Sequence, residues 1–350
     1  MAERVRLFGT DGIRGRVPQW PLSADLVLRL GQTIAEVIRE GGHPPLAVIG
    51  RDTRASGPLL EAALTAGLME RGLDVLPVGI LPTPAVALLA RHFGAGLGIV
   101  LSASHNPFPD NGIKLFTSTG FKVPEEMERE IERSIQEIAP SGKGTPRLGR
   151  VMTPEQSPEE IYLQSLLARA AQPVSLQGWH LVVDCAQGAT FRVAPELFRR
   201  LGARVTVLHA EPSGENINCG CGSEHPELLR EAVLRERADA GVAFDGDGDR
   251  LLLVDEAGNL LDGDVSLFVL ARELRERGQL RGGTVVATVM SNLGLEQTLA
   301  GLGVRLERVP VGDRFVVQRM LEGGFSLGGE SSGHVIMMGE GNTTADGLYT

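Results

Sequence analysis

The chain is poor in the features that mark secreted, membrane-embedded or nucleic-acid-coating proteins. Its three cysteines form no even-numbered disulfide set and suit a reducing compartment. Cations are outnumbered, with 34 Lys and Arg against 44 Asp and Glu for a net charge of −10. This argues against a general surface for nucleic acid or acidic membrane, so any phosphate site has to be a local basic pocket. No run of about 18 apolar residues is free of charge or proline, and the opening MAERVRLFG lacks the uninterrupted apolar core of a signal peptide. The expectation is a soluble, cytoplasmic protein with neither membrane nor nucleic-acid partners. A nucleotide-driven kinase is disfavoured as well, because no G-x-x-x-x-G-K-[ST] loop or kinase glycine loop occurs.

What is present is enough apolar sequence for several cores: 42% hydrophobic residues over 350 positions suggests two or three domains. Short runs rich in Val and Ile alternate with longer amphipathic stretches, the pattern of α/β structure with mainly parallel strands. The order repeats three times. LAVIG, a helix over about 58–71 capped by Ser56, LDVLPVG, a helix through Val86–Ala90 and GLGIVLS end at SASHNP (Ser102 to Pro107). HLVVDC, RVTVLH and AGVAF with their helices end at DGDGDR (Asp245 to Arg250), and TVVATV, VRLERV and FSLGG end at ESSGH (Glu330 to His334). Ligands of open α/β sheets bind beyond the carboxyl ends of the strands, so the three loops are expected to meet over one cleft. Boundaries are expected in the Pro- and Gly-containing stretch Ala139 to Arg150 and near Glu256 to Asp264. This divides the chain into 1–150, 151–256 and 257–350. The charged stretch from Glu125 to Ile138 reads as a solvated helix.

Two of these loops carry chemistry. Asp245, Asp247 and Asp249 alternate with glycine, so their carboxylates can turn toward one point and offer hard oxygen ligands to Mg²⁺. An EF-hand is excluded because Arg250 occupies the sixth position, where a calcium loop needs glycine, and Leu251 to Val254 read as a strand. Ser104 supplies a hydroxyl that can carry a phosphoryl group, although a serine before histidine is by itself an ordinary turn or cap residue. Ser102, two residues earlier, is expected to be dispensable. Cys219, Cys221 and His225 fall one ligand short of a zinc site, and their spacing is not that of a finger.

FGTDGIRG (Phe8 to Gly15), SASHNP, DNGIK (Asp110 to Lys114), DGDGDR, VGDR (Val311 to Arg314) and GESSGH (Gly329 to His334) occur in one ordered set. That set resembles the α-D-phosphohexomutases, and the resemblance runs over the whole chain. It implies three similar α/β domains with mixed, mainly parallel sheets around a central cleft. The family's fourth, C-terminal domain, which clamps the substrate phosphate, is expected to be absent. NINCGCGSEH (Asn216 to His225) is similar to the branch acting on glucosamine phosphates, although Glu224 and Ser331 depart from its usual residues.

The resemblance further implies a phosphoserine at Ser104 and one Mg²⁺ held by Ser104, Asp245, Asp247 and Asp249. Arg14, His105, Lys114, Arg250 and His334 fall in the catalytic group, with Lys114 and His334 as candidate proton carriers, while Glu330 and Ser332 hold the sugar hydroxyls. The implied reaction interconverts glucosamine 6-phosphate and glucosamine 1-phosphate through a sugar 1,6-bisphosphate that also serves as activator. A phosphosugar is the implied small-molecule partner, and a homodimer is compatible with the resemblance. The alternatives are a mannose or glucose phosphate mutase, a phosphatase, and a truncated fragment that binds metal without turning over.

Overall fold

The computed structural model describes residues 6–137, 147–169, 175–339 and 342–350. Most of the linker expected at Ala139 to Arg150 lies outside the described residues. The chain forms two compact units, one comprising residues up to Tyr162 with Ser213–Ile217, the other Leu163–Pro212 with Asn218–Thr350.

The first unit runs β1 (Ile13–Arg16), α1 (Ala24–Glu40), β2 (Leu46–Arg51), α2 (Gly57–Glu70), β3 (Asp74–Ile80), α3 (Thr83–His92), β4 (Leu97–Leu101), β5 (Asp110–Thr117) and α4 (Glu125–Glu137). Its sheet has the order β1-β5-β4-β2-β3. Strands β3, β2 and β4 are parallel, whereas β5 returns antiparallel to β4 and pairs in turn with β1. LGIVL of β4 is buried along its whole length, as expected of an apolar strand covered on both faces. Helix α1 buries Val27, Leu30, Gly31, Ile34, Ala35 and Ile38, a stripe at helical spacing that joins the core of this sheet.

Ser56 precedes α2 as expected, but its side chain does not cap the helix. Its hydroxyl instead accepts from Asn111 Nδ2 at 2.9 Å, because its own backbone is already αR rather than the extended form that aims an N-cap side chain at the first turn. Helix α3 starts three residues earlier than the expected Val86, with Pro84 in its first turn, where a missing N–H costs nothing.

Helix α5 (Pro158–Arg169) leads to the second unit, which holds two sheets. The first contains β6 (His180–Asp184), β7 (Arg204–Leu208), β8 (Ala240–Phe244), β9 (Leu251–Asp255) and β10 (Leu260–Leu261), with α6 (Val193–Arg200) and α7 (Glu227–Glu236) between strands. Its order is β10-β9-β8-β6-β7. After α8 (Gly263–Glu276), the second contains β11 (Thr284–Thr288), α9 (Leu293–Gly301), β12 (Arg305–Val309), α10 (Asp313–Gly323), β13 (Leu327–Gly329) and β14 (Val335–Met337), in the order β12-β11-β13-β14. Asp262 and Asn292 cap α8 and α9 by accepting from Val265 N and Leu295 N.

Each sheet is thus a parallel trio extended by antiparallel return strands. The three motif loops are the turns from the last parallel strand into its return strand: β4 to β5, β8 to β9 and β13 to β14. No helix among the described residues is long and apolar enough to cross a membrane.

Helices α1 and α2 meet through glycine. A Cβ on Gly67 would stand 2.0 Å from the Leu28 carbonyl oxygen, and one on Gly31 would stand 2.5 Å from that of Leu64. Gly67→Ala gains about 1 kcal/mol of helix propensity but forces two backbones apart, at a cost of roughly 1–3 kcal/mol or more. The clash is expected to win, lowering the urea midpoint without changing the slope. An unchanged or raised midpoint would show that the two helices separate freely.

Candidate active site

Ser104 follows β4 in the left-handed conformation, with φ +52°, and is 3% exposed. Such a φ is unusual for a residue other than glycine and persists only where the surroundings enforce it. Arg54 does so. It is wholly buried, and its Nε donates to Asp52 Oδ2 at 2.8 Å. Its Nη1 donates to the carbonyls of Pro107 and Asp110 at 2.6 and 2.9 Å, and its Nη2 to those of Ser104 and Asn106 at 2.9 and 2.8 Å. All five guanidinium N–H groups are therefore used, four of them on the loop that carries Ser104.

Asp52 also accepts from Ser102 Oγ at 2.6 Å, and Ser102 Oγ in turn accepts from Ser104 N at 2.9 Å. Ser102 is therefore part of the scaffold rather than the bystander expected from sequence. Burial pushes the Asp52 carboxyl up, opposed by Arg54 and the Ser102 hydroxyl.

The Ser104 hydroxyl lies 3.4 Å from His105 Nδ1, a long contact that is typical of apo sites. Arg14 Nη1 donates to Asn106 Oδ1 at 3.1 Å, and Asn106 Nδ2 to Asp110 Oδ2 at 3.0 Å. Asp11, quoted within FGTDGIRG but given no role from sequence, is the hub of this region. It pairs with Arg14, with Lys114 Nζ at 3.4 Å and with Lys122 Nζ at 2.5 Å. Burial works against its charge, yet Lys114, Lys122 and Arg14 hold its carboxyl well below the usual range. Three cations thus gather around one carboxylate, a local cluster of positive charge in a chain of acidic composition. Lys114 lies on β5 opposite Val100 of β4 and is 2% exposed.

In the second unit Asp245, Asp247 and Asp249 are buried, and one oxygen from each lies within 4.8 Å of the others. The turn is held from both sides. Asp245 Oδ1 accepts from Arg250 N at 3.2 Å, and Gly248 O from Gly347 N at 3.1 Å. Beneath it, Gly188 allows an approach so close that a Cβ there would meet Gly246 O at 2.4 Å. Three converging oxygen donors in a buried turn fit a hard divalent cation such as Mg²⁺. Burial disfavours the Arg250 charge, but Asp245, Asp249, Glu224 and Asp247 raise its pKa, and its Nη1 pairs with Glu224 at 2.8 Å.

The GESSGH loop abuts this turn within the same unit. Leu251 N donates to Gly333 O at 3.0 Å, and His334 lies with Nδ1 3.5 Å from Asp249 and Nε2 3.6 Å from Asp313. Burial opposes protonation of His334, but Asp249, Asp313 and Glu330 raise its pKa to about 9. Glu330 Oε1 accepts from Gly312 N at 3.0 Å, which fixes the carboxylate at the start of α10. The Ser332 hydroxyl is buried with no hydrogen-bond partner among the described residues.

Asp11, Asp52 and Arg54 are the residues that reading the sequence missed. Only Asp11 had a signal, its place inside a quoted motif. Breaking the buried Asp52–Arg54 pair by Arg54→Met is expected to cost about 3–5 kcal/mol. Adding Asp52→Asn removes the orphaned charge and is expected to restore part of that stability without restoring phosphate incorporation at Ser104. A folded double variant that labels like the parent in intact-mass analysis would show that the loop holds itself.

Models of phosphoglucomutase/phosphomannomutase alpha/beta/alpha domains I, II and III match residues 5–141, 160–258 and 262–350. A phosphoglucosamine mutase of Moorella thermoacetica is 50% identical over 350 residues, covering 99% of this chain and 77% of that protein. One of Pseudomonas putida is 49% identical over 346 residues, covering 98% and 76%. A crystal structure of a putative phosphomannomutase from Thermus thermophilus superposes with a TM-score of 0.84 at 26% identity, covering 100% of this chain and 78% of that one. On these matches and on its three sheets, the chain belongs to the phosphoglucomutase/phosphomannomutase family.

Proposed function

We propose that this chain interconverts glucosamine 6-phosphate and glucosamine 1-phosphate, supplying UDP-N-acetylglucosamine and cell-wall synthesis. The observation that carries the reaction class is the clamped, left-handed Ser104 beside His105. The hexosamine assignment rests on the relatives of nearly 50% identity whose names state that substrate class.

In this reading Ser104 carries a phosphoryl group and gives it to the free oxygen of the sugar monophosphate, forming the 1,6-bisphosphate. The bisphosphate turns over, and the Ser104 hydroxyl takes back the other phosphoryl group. Asp245, Asp247 and Asp249 would hold Mg²⁺. When bound, the ion offsets repulsion between two phosphorylated groups and draws charge from the transferring oxygens.

Arg14 and Lys114 offer positive charge to the phosphoryl oxygens, and Asp11 holds both side chains in place. Lys114 is the candidate base, a buried amine on β5 whose Nζ lies 3.4 Å from Asp11. Protonated His334 is the candidate acid. Glu330 and the unpartnered Ser332 hydroxyl suit vicinal sugar hydroxyls. The phosphoserine, metal and sugar functions fall in residues 1–150, 151–256 and 257–350.

Ser104→Ala is expected to abolish phosphate incorporation, and Ser102→Ala to slow it by loosening the Ser104 backbone. Undiminished labelling of the Ser104→Ala protein in intact-mass analysis would remove Ser104 from the reaction. Asp247→Asn is expected to weaken Mg²⁺ binding in titration calorimetry, and unchanged affinity would contradict the ligand set. A panel of hexose and hexosamine phosphates tests the sugar, with faster turnover of mannose or glucose phosphates overturning the hexosamine assignment.

A further inference from the structure

We propose that Asp184, His209 and Cys221 form a second metal site, one that takes Zn²⁺. The three groups come from separate segments of the second unit. Asp184 ends β6, His209 immediately follows β7, and Cys221 lies in the loop before α7. One ligand atom from each lies within 4.8 Å of the others.

The donor set is a carboxylate, an imidazole and a thiol, with a second thiol two residues away. Zinc accepts this mixture at about 2.0–2.3 Å per ligand, whereas Mg²⁺ wants oxygen alone. The site thus differs in kind from the carboxylate turn of Asp245, Asp247 and Asp249. His225, the partner suggested by the linear C-x-C spacing, does not belong to the group.

The surroundings are those of a supported ligand rather than a loose surface acid. Asp184 is fully buried; its Oδ1 accepts from Ala186 N at 2.9 Å and its Oδ2 from Gly222 N at 3.0 Å. Such donors orient a carboxylate while leaving lone-pair capacity for a further partner, most openly on Oδ1. His209 Nδ1 lies 2.9 Å from Asp184 Oδ2, a few tenths of an ångström short of the separation expected for two ligands about 2 Å from a tetrahedral ion.

Cys221 is 1% exposed and Cys219 exposed, while the His209 side chain retains 25% exposure and leaves an entry path. Ion binding displaces the protons of its ligands to solvent.

The test uses the whole chain, stripped of metal and kept in saturating Mg²⁺ so that the oxygen-only turn is filled. Titration with Co²⁺ is expected to produce a thiolate-to-cobalt charge-transfer band that saturates at about one ion per chain and is abolished by Zn²⁺. Zn²⁺ should also slow alkylation of Cys219 and Cys221. Cys221→Ser and His209→Gln are expected to lose the band and weaken Zn²⁺ at least ~100-fold, whereas Asp247→Asn keeps both.

His209 is partly exposed, so its variant carries the test if the buried Cys221→Ser protein fails to fold. Absence of the band from the parent chain would reduce the cluster to an Asp–His pair beside two thiols. A band that survives in folded His209→Gln or Cys221→Ser would place the cobalt elsewhere. Neither result bears on the mutase reading, which depends on Ser104 and the Asp245 turn.

Discussion

A guanidinium removed from water has to find an acceptor for each of its five N–H groups, because an unsatisfied buried donor costs about 1–3 kcal/mol and a charged one more. Arg54 meets that demand with one carboxylate and four carbonyls of a single loop. The constraint works in both directions. The loop can present those carbonyls only when folded back on itself, and in that shape Ser104 is driven into a left-handed conformation. Asp52 sits behind both ends of the arrangement, since it pairs with Arg54 and, through Ser102, orients the Ser104 N–H. The backbone strain at Ser104 is thus maintained by a buried ion pair that lies 50 residues away in sequence at Arg54.

The return strands explain why this kind of loop recurs. In a simple βαβ crossover, the segment leaving a strand runs directly into a helix. Here the last parallel strand of each sheet turns into an antiparallel neighbour, so both ends of the motif loop are pinned by ladder hydrogen bonds. Such a turn can be short, crowded with polar groups and still fixed. The Asp245 turn shows how tight it becomes: Gly347 and Gly188 press on it from outside its own hairpin, at distances that exclude a side chain. Within the second unit the same device brings the DGDGDR and GESSGH loops together, through Leu251 N on Gly333 O and His334 beside Asp249.

Much of this was legible in the sequence, for identifiable reasons. Strands such as LGIVL and TVVAT are apolar on both faces, so their location follows from composition alone, and the motif loops stand out by their abrupt change to Ser, Asp and Gly. DGDGDR announces its chemistry because carboxylates at alternate positions can converge without help from the rest of the chain. What could not be read was every contact between segments distant in sequence. Arg54 looks like any loop arginine until β2 and β4 place it under residues 104–110. Ser102 looks dispensable because its partner, Asp52, is 50 residues away. DNGIK was noticed as a motif but not as the start of β5, since its strand character comes from pairing with β4 rather than from alternation. His209 had no signal at all, for its ion-pair partner Asp184 lies on a neighbouring strand.

The charge distribution ties these observations together. A chain of net charge −10 repels phosphorylated ligands over most of its surface, so attraction has to be concentrated where phosphate is handled. Asp11 provides the concentration by an indirect route. Gathering Arg14, Lys114 and Lys122 around one carboxylate lowers their mutual repulsion enough to hold them together. A bare trio of cations would splay apart. The Asp245 turn is the complementary case, where Arg250 lies among three carboxylates that raise its pKa. In both places charge of the minority sign makes a cluster of the majority sign stable enough to exist.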